Sequence, residues 1–134
     1  MVEVRRRNAE LFTSLFEGDE RFIIQREIEG ARSSWFSFTV ILNPAVDIDR
    51  AKVMAALRAA GIGYRIITGG CFLRHDVIKY FDYDVVGEIV NANLAHDRGF
   101  FVGNHPQDLR PQIERLREVL DRAAVSGNRA VVQV

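Results

Sequence analysis

The sequence predicts an α+β domain: a small, mostly antiparallel three-stranded sheet with helices packed mainly on one face. Three observations carry this. Residues 35–42 alternate in the period of a strand, and two shorter apolar runs, 63–68 and 100–102, lie beside glycines. Four other segments repeat apolar residues at helical spacing. Three short strands cannot bury two faces alone, so one face takes the helices and the other needs a partner.

The elements follow in order. Val4, Leu11, Phe12, Leu15 and Phe16 lie along one stripe of a helix over residues 3–17, which Gly18-Asp19 ends. Residues 21–29, with Phe22, Ile23, Ile24 and Ile28, are extended or an irregular connector. In the strand 35–42, Phe36, Phe38, Val40 and Leu42 point one way, and Trp35, Ser37, Thr39 and Ile41 the other. Asn43-Pro44 closes it, since proline offers no N–H to a ladder. Asp47 is suited to cap a helix whose buried stripe is Ile48, Ala51, Met54 and Leu57, and Gly61 stops that helix. The strand 63–68 runs into Gly69-Gly70, a pair that favours a tight turn or a close backbone approach. Residues 71–83 form a long connection rich in aromatic and charged groups, and 84–96 are helical, with Val86, Ile89, Val90 and Leu94 on one side. Phe100 to Val102 is a short strand. Leu109, Ile113, Leu116, Leu120 and Ala123 mark the last helix, with Pro111 in its first turn and Gly127 at its end. In residues 125–134, Ala130-Val131-Val132 either adds an edge strand or stays loose.

At 134 residues the chain suits one domain, 1–134, divided into a linking helix (1–18), a folded body (33–124) and a tail (125–134). Net charge is zero, which argues against a nucleic-acid binder; the run Arg5-Arg6-Arg7 is better placed as a solvated or partner-facing helix end. Sixteen of the eighteen basic residues are arginine; the lysines are Lys52 and Lys79. One cysteine allows no internal disulfide and fits a reducing, cytoplasmic setting, and no apolar run suggests a signal peptide or membrane span.

Chemistry-bearing residues are sparse. Cys71 and His75 can be drawn as a thiolate–imidazole pair, although a small cysteine beside two glycines is more often a packing residue. His75, His96 and His105, with Asp76 and Asp97, match no metal-ligand spacing, so no metal is expected. The glycine pairs lack a Walker lysine and a dinucleotide fingerprint, and no G-x-S-x-G occurs. Two clusters remain. In residues 64–75, Arg65, Arg74, His75 and Phe72 surround a glycine turn; arginine grips carboxylate and phosphate with two prongs, while structural ion pairs are the plain alternative. The second is a strand ending in Gly103-Asn104-His105, a binding loop or an ordinary strand-to-helix turn.

These clusters carry a resemblance. SSWFSFTVIL, GIGYRIITGGCFLRH, KYFDYDVVGEIVNANLAHDRGFFVGNHP and LRPQIERLREVL resemble the C-terminal small domain of the DegT/DnrJ/EryC1/StrS family, and RRRNAELFTSLFEG resembles its linking helix. The likeness is strongest to the 4-keto-6-deoxysugar 3-dehydratase branch: Arg65, Gly70, Phe72 and Arg74 fit its motif, and Cys71 stands where asparagine is usual. The FVGNH phrase fits too, and the aminotransferase His-x-Gln-Pro pattern is absent.

The resemblance implies fold-type-I pyridoxal chemistry in a homodimer, acting on a nucleotide-linked keto-deoxysugar such as those of lipopolysaccharide O-antigen synthesis. It implies PLP/PMP held by a large domain that this sequence does not contain. The chain alone is therefore expected to bind no cofactor and to be inactive. Arg65 and Arg74 would hold an anionic group, and Phe72, His75, Asn104 and His105 would shape the substrate side. A stand-alone ligand-binding or assembly module, without catalysis, is the alternative. The missing large domain or a partner chain, or self-association into a homo-oligomer, would cover the aromatic surface.

Overall fold

The computed structural model describes residues 1–125. Helix α1 (Val2–Phe16) leads into strand β1 (Phe22–Ile24) and then β2 (Ser37–Leu42). Helix α2 (Arg50–Ala59), strand β3 (Tyr64–Ile66) and two short 3-10 turns (Phe72–Arg74 and Asp76–Tyr80) follow. Helix α3 (Val90–Arg98), strand β4 (Gly99–Gly103) and helix α4 (Arg110–Ala123) complete the order. The sheet has four strands in the order β1-β2-β4-β3, all antiparallel. The added strand is β1, only three residues long and anchored by buried Phe22.

Directly paired residues share a face, so the register separates core from open side. Phe22, Phe38, Val40, Leu42, Phe100 and Val102 are buried on one face, beneath α1, α2 and α4. Phe12 of α1 stacks on Phe38 with ring centroids 4.5 Å apart. Each such ring contributes about 1.5–3 kcal/mol by leaving water. Ile23, Thr39, Ile41, Phe101 and Arg65 lie on the other face. Helix α3 and Ile67 cover one end of that face: a Cβ on Gly99 would lie 2.4 Å from Ile67 Cδ1 and 2.5 Å from the Ala95 carbonyl. Only glycine fits there.

Several expectations are corrected. Phe36 does not share the core face with Phe38; it is 69% exposed, ahead of β2. Trp35 has φ +50° and is buried, and this break in alternation swings Phe36 outward. A positive φ is strained for so bulky a residue. Ser33 Oγ accepts the Trp35 N–H, Glu27 accepts its indole N–H, and Asn104 donates to its carbonyl. The cap of α2 is Asp49, not Asp47: its carboxylate accepts from the amides of Ala51 and Lys52. An Asn43 side-chain turn and the Ile48–Val46 bond occupy the preceding residues, delaying the helix by two positions. Ile48 is buried outside the helix, while Ala51 is exposed and Val53 takes its place in the core. Strand β3 ends at Ile66, short of Thr68. Helix α3 begins at Val90 because Gly87, at φ +73°, breaks the pattern before it; no residue of α3 is buried. Helix α4 ends at Ala123; Gly127 and the strand-or-loose question for residues 130–132 lie outside the described residues.

A charged network ties the turn after α1 to α4. Asp19 lies between Arg21 and Arg117, each 2.7 Å away, and both arginines also reach Asp121. Arg117 lies over the Phe16 ring and Arg21 over Phe22, at 4.9 and 5.2 Å. The Arg21 guanidinium hydrogen-bonded to Asp19 holds this carboxyl well below the ordinary carboxylate range, against the opposing effect of burial. A depressed carboxyl stabilises the fold above its unfolded pKa, and that contribution fades as pH falls from about 4 toward the folded value. D19N is therefore expected to cost about 2 kcal/mol at pH 7 and to lessen the loss on acidification. Urea midpoints at pH 7 and pH 3 check this; equal losses at both would contradict it.

Candidate functional site

The first cluster follows β3. Arg65, in the middle of that strand, pairs across to Phe101 and projects from the open face. It is exposed, and its guanidinium has no ion pair or hydrogen bond among the described residues. Past β3 the chain turns at Gly69-Gly70, where Gly70 adopts φ +47°. Phe72 and Arg74 sit on the first 3-10 turn, Phe72 half-exposed. Arg74 Nη1 meets Asp97 Oδ1 at 2.6 Å, so one of the two arginines is engaged. The His75 imidazole is 2.9 Å from the Gly69 carbonyl through Nε2, and its ring centroid is 6.0 Å from both Phe72 and His96.

Cys71 is 1% exposed, which leaves its thiol inaccessible as a nucleophile; packing is the reading that stands. Its backbone N–H donates to His96 Nδ1 at 3.2 Å. His96 and Asp97 thus reach the cluster from the end of α3, and their own carbonyls accept from Arg50 at 2.8 Å each. His96 and Asp97, whose spacing in the sequence matches no metal-ligand pattern, hold the turn and Arg74. Among the described residues, no group of three or more His, Cys, Asp and Glu side chains converges.

The second cluster behaves differently. Asn104 is 2% exposed, and its side chain faces inward. Nδ2 donates to the carbonyls of Arg5 and Trp35 at 2.9 and 2.8 Å, and Oδ1 accepts from Asn8 Nδ2 at 3.0 Å. Asn8 in turn donates to the Gln107 carbonyl and accepts from the Leu109 amide. Asn104 therefore secures α1 against the turn before α4; both its amide donors are engaged, and at 2% exposure its side chain is closed to a ligand. His105 is exposed at the end of β4 and borders a hollow of about 340 Å³ with Gly63, Gly103, Gln112 and Arg115.

The structure does not bring the clusters together. Ile66 pairs with Phe100 and Tyr64 with Val102, so residues 69–75 lie at the Gly99 end of β4 and Asn104–His105 at the Gly103 end. The strand separates them by about 15 Å. Arg65, Phe72, Arg74 and His75 form one candidate site; His105 belongs to the opposite end.

Beside the site runs an apolar band. Phe72, Val77, Tyr80, Phe81, Tyr83, Val85, Val86 and Val90 are all exposed, Tyr80 to 85% and Val86 to 89%. So dense a run of bare aromatic and aliphatic side chains marks an interaction surface. Lys52 is exposed on α2, and Lys79 pairs with Asp76 on the surface. No helix among the described residues is long and apolar enough to cross a membrane.

The model of the DegT/DnrJ/EryC1/StrS aminotransferase family matches residues 1–121. A GDP-4-keto-6-deoxy-D-mannose 3-dehydratase of Yersinia pseudotuberculosis is 41% identical over 122 residues, covering 90% of this chain and 30% of the relative. The solved Escherichia coli enzyme of that name, with bound hydrated PLP, superposes with TM-score 0.84 at 41% identity, over 89% of this chain and 30% of its own. A variant GDP-4-keto-6-deoxymannose 3-dehydratase with bound GDP-perosamine gives the same TM-score and identity, over 89% and 31%. The chain thus spans about 30% of the length of the curated relatives it matches.

Proposed function

The chain belongs to the DegT/DnrJ/EryC1/StrS aminotransferase family, and from that premise we propose that it is the small domain of a PLP-dependent enzyme that removes the 3-hydroxyl of a nucleotide-linked 4-keto-deoxysugar. The observation that carries this reading is the exposed Arg65 on an open sheet face, without a partner among the described residues and close in sequence to an exposed aromatic band. On this reading a large domain holds the cofactor and covers the band, as a separate chain or as the rest of a longer one, and the assembly is a cytoplasmic homo-oligomer. This chain contributes the wall opposite the cofactor. Arg65 receives an anionic group of the substrate, with Arg74 held beside it by Asp97. Phe72 and His75 shape the sugar side and exclude water, and His105 contacts a more distant part of the substrate or the partner surface. Transamination at the same site would need the same wall, and identity to the dehydratases favours dehydration.

A chimera tests this. Residues 1–121 replace the corresponding part of the Yersinia dehydratase, which 41% identity makes feasible. The chimera is expected to turn over GDP-4-keto-6-deoxymannose within about tenfold of the parent, a difference of about 1.4 kcal/mol in barrier. A folded, cofactor-loaded chimera without turnover would overturn the proposal, and stoichiometric binding of GDP-sugar by the chain alone would point to a free-standing binding module.

A further inference from the structure

We infer that His96 is the positioning residue of the candidate site: its imidazole sets the Gly69–Cys71 turn from which Phe72, Arg74 and His75 project. The inference rests on the reading of that site as the substrate wall.

Four observations meet at this side chain. Nδ1 accepts the Cys71 N–H at 3.2 Å, so the proton of the neutral ring sits on Nε2. The ring lies where a side chain at position 70 would be: a Cβ there would fall 2.5 Å from Nδ1 and 3.1 Å from Cγ. Gly70 is thus required twice over, by its φ of +47° and by the imidazole against it. The His75 ring is 6.0 Å away, steeply inclined, and holds the Gly69 carbonyl on the other side of the turn. Finally, the residue after His96 carries the carboxylate that holds Arg74.

The base under this contact is firm. His96 lies in the last turn of α3, and Arg50, at the start of α2, donates to its carbonyl and to that of Asp97. The bonds bridge α2, α3 and the turn after β3. Losing the imidazole acceptor leaves a half-buried amide without a partner and removes the ring that fixes Gly70. Protonating the ring has the same effect on the bond, because Nδ1 becomes a donor facing a donor. The His75 ring, just after the first 3-10 turn, faces the imidazole, Arg50 of α2 holds the His96 carbonyl, and the Arg74–Asp97 pair begins at the next residue.

The test is amide exchange by NMR on the full chain, comparing protection factors at Cys71 and at Val40 in β2. H96N keeps an acceptor at the δ position and is expected to keep Cys71 protected. H96L is expected to lose about tenfold or more of that protection while Val40 is unchanged. Unaltered Cys71 protection in H96L would overturn the inference. Should the variants unfold, the unsubstituted chain decides: Cys71 protection must fall when His96 is protonated, with Val40 steady, and a constant ratio of the two would overturn it. These readouts need no catalysis. An inactive chimera with a His96-dependent Cys71 amide removes only the functional proposal, and an active one with an indifferent amide removes only this inference.

Discussion

N104A is expected to destabilise the domain by about 3–5 kcal/mol, because it removes hydrogen bonds to three groups, at about 0.5–1.5 kcal/mol each, and leaves one of them, the buried Trp35 carbonyl, without a partner at a further cost of about 1–3 kcal/mol. Those groups are the carbonyls of Arg5 and Trp35 and the amide of Asn8. Substitution also releases the brake on the positive φ of Trp35, whose carbonyl Asn104 holds. For a domain of this size the loss corresponds to a fall in Tm of about 10–15 °C. N8A is expected to cost a similar amount, since it takes the partner from the Gln107 carbonyl and from the buried Leu109 amide, and the two substitutions must be non-additive because they share one bond. Urea unfolding of both variants and the double variant measures this. A loss under about 1 kcal/mol for N104A would show that the amide is not the fastening described.

R65A, made in the chimeric dehydratase, is expected to raise KM for the nucleotide sugar by about ten- to a hundredfold, the value of a charge-assisted contact of about 1.5–3 kcal/mol. The change in kcat is expected to be smaller, since Arg65 is proposed to bind rather than to react. R65K keeps the charge and loses the planar fork, so it is expected to fall between the two. R74A is expected to have a weaker effect, because Arg74 is already paired with Asp97. An unchanged KM in R65A would refute the assigned role. Since Arg65 is exposed on an edge strand, the substitution should leave the fold intact, and the kinetic result can be read directly.

Long periodic segments were legible in the sequence and short ones were not. Phe12 and Phe16 of α1 and Ile113, Leu116 and Leu120 of α4 are buried as their spacing requires. Strand β1 has three residues, too few for an alternation to register, and only its pairing with β2 makes it a strand. The choice between Asp47 and Asp49 as cap could not be made locally, because both chemistries fit and the Asn43 turn decided. The positive φ of Trp35 depends on contacts from Glu27, Ser33 and Asn104, which no local pattern encodes. In the candidate site, Arg65, Phe72, Arg74 and His75 were visible as residue types around a glycine turn. His96 was not visible as their support, since it comes from a helix twenty-five residues later. Asn8 had a signal that reading missed: it lies four residues from both Val4 and Phe12, a polar side chain within an apolar stripe.

The fastenings of α1 have a consequence for biosynthesis. Its partners Asn104 and Leu109, and the Asp121 that meets Arg21, lie about a hundred positions downstream. On a ribosome adding about 5–20 residues per second, the emerging helix waits roughly 5–20 s before α4 exists to complete its packing. Throughout that interval the nascent chain presents a helix with one apolar side still bare to water.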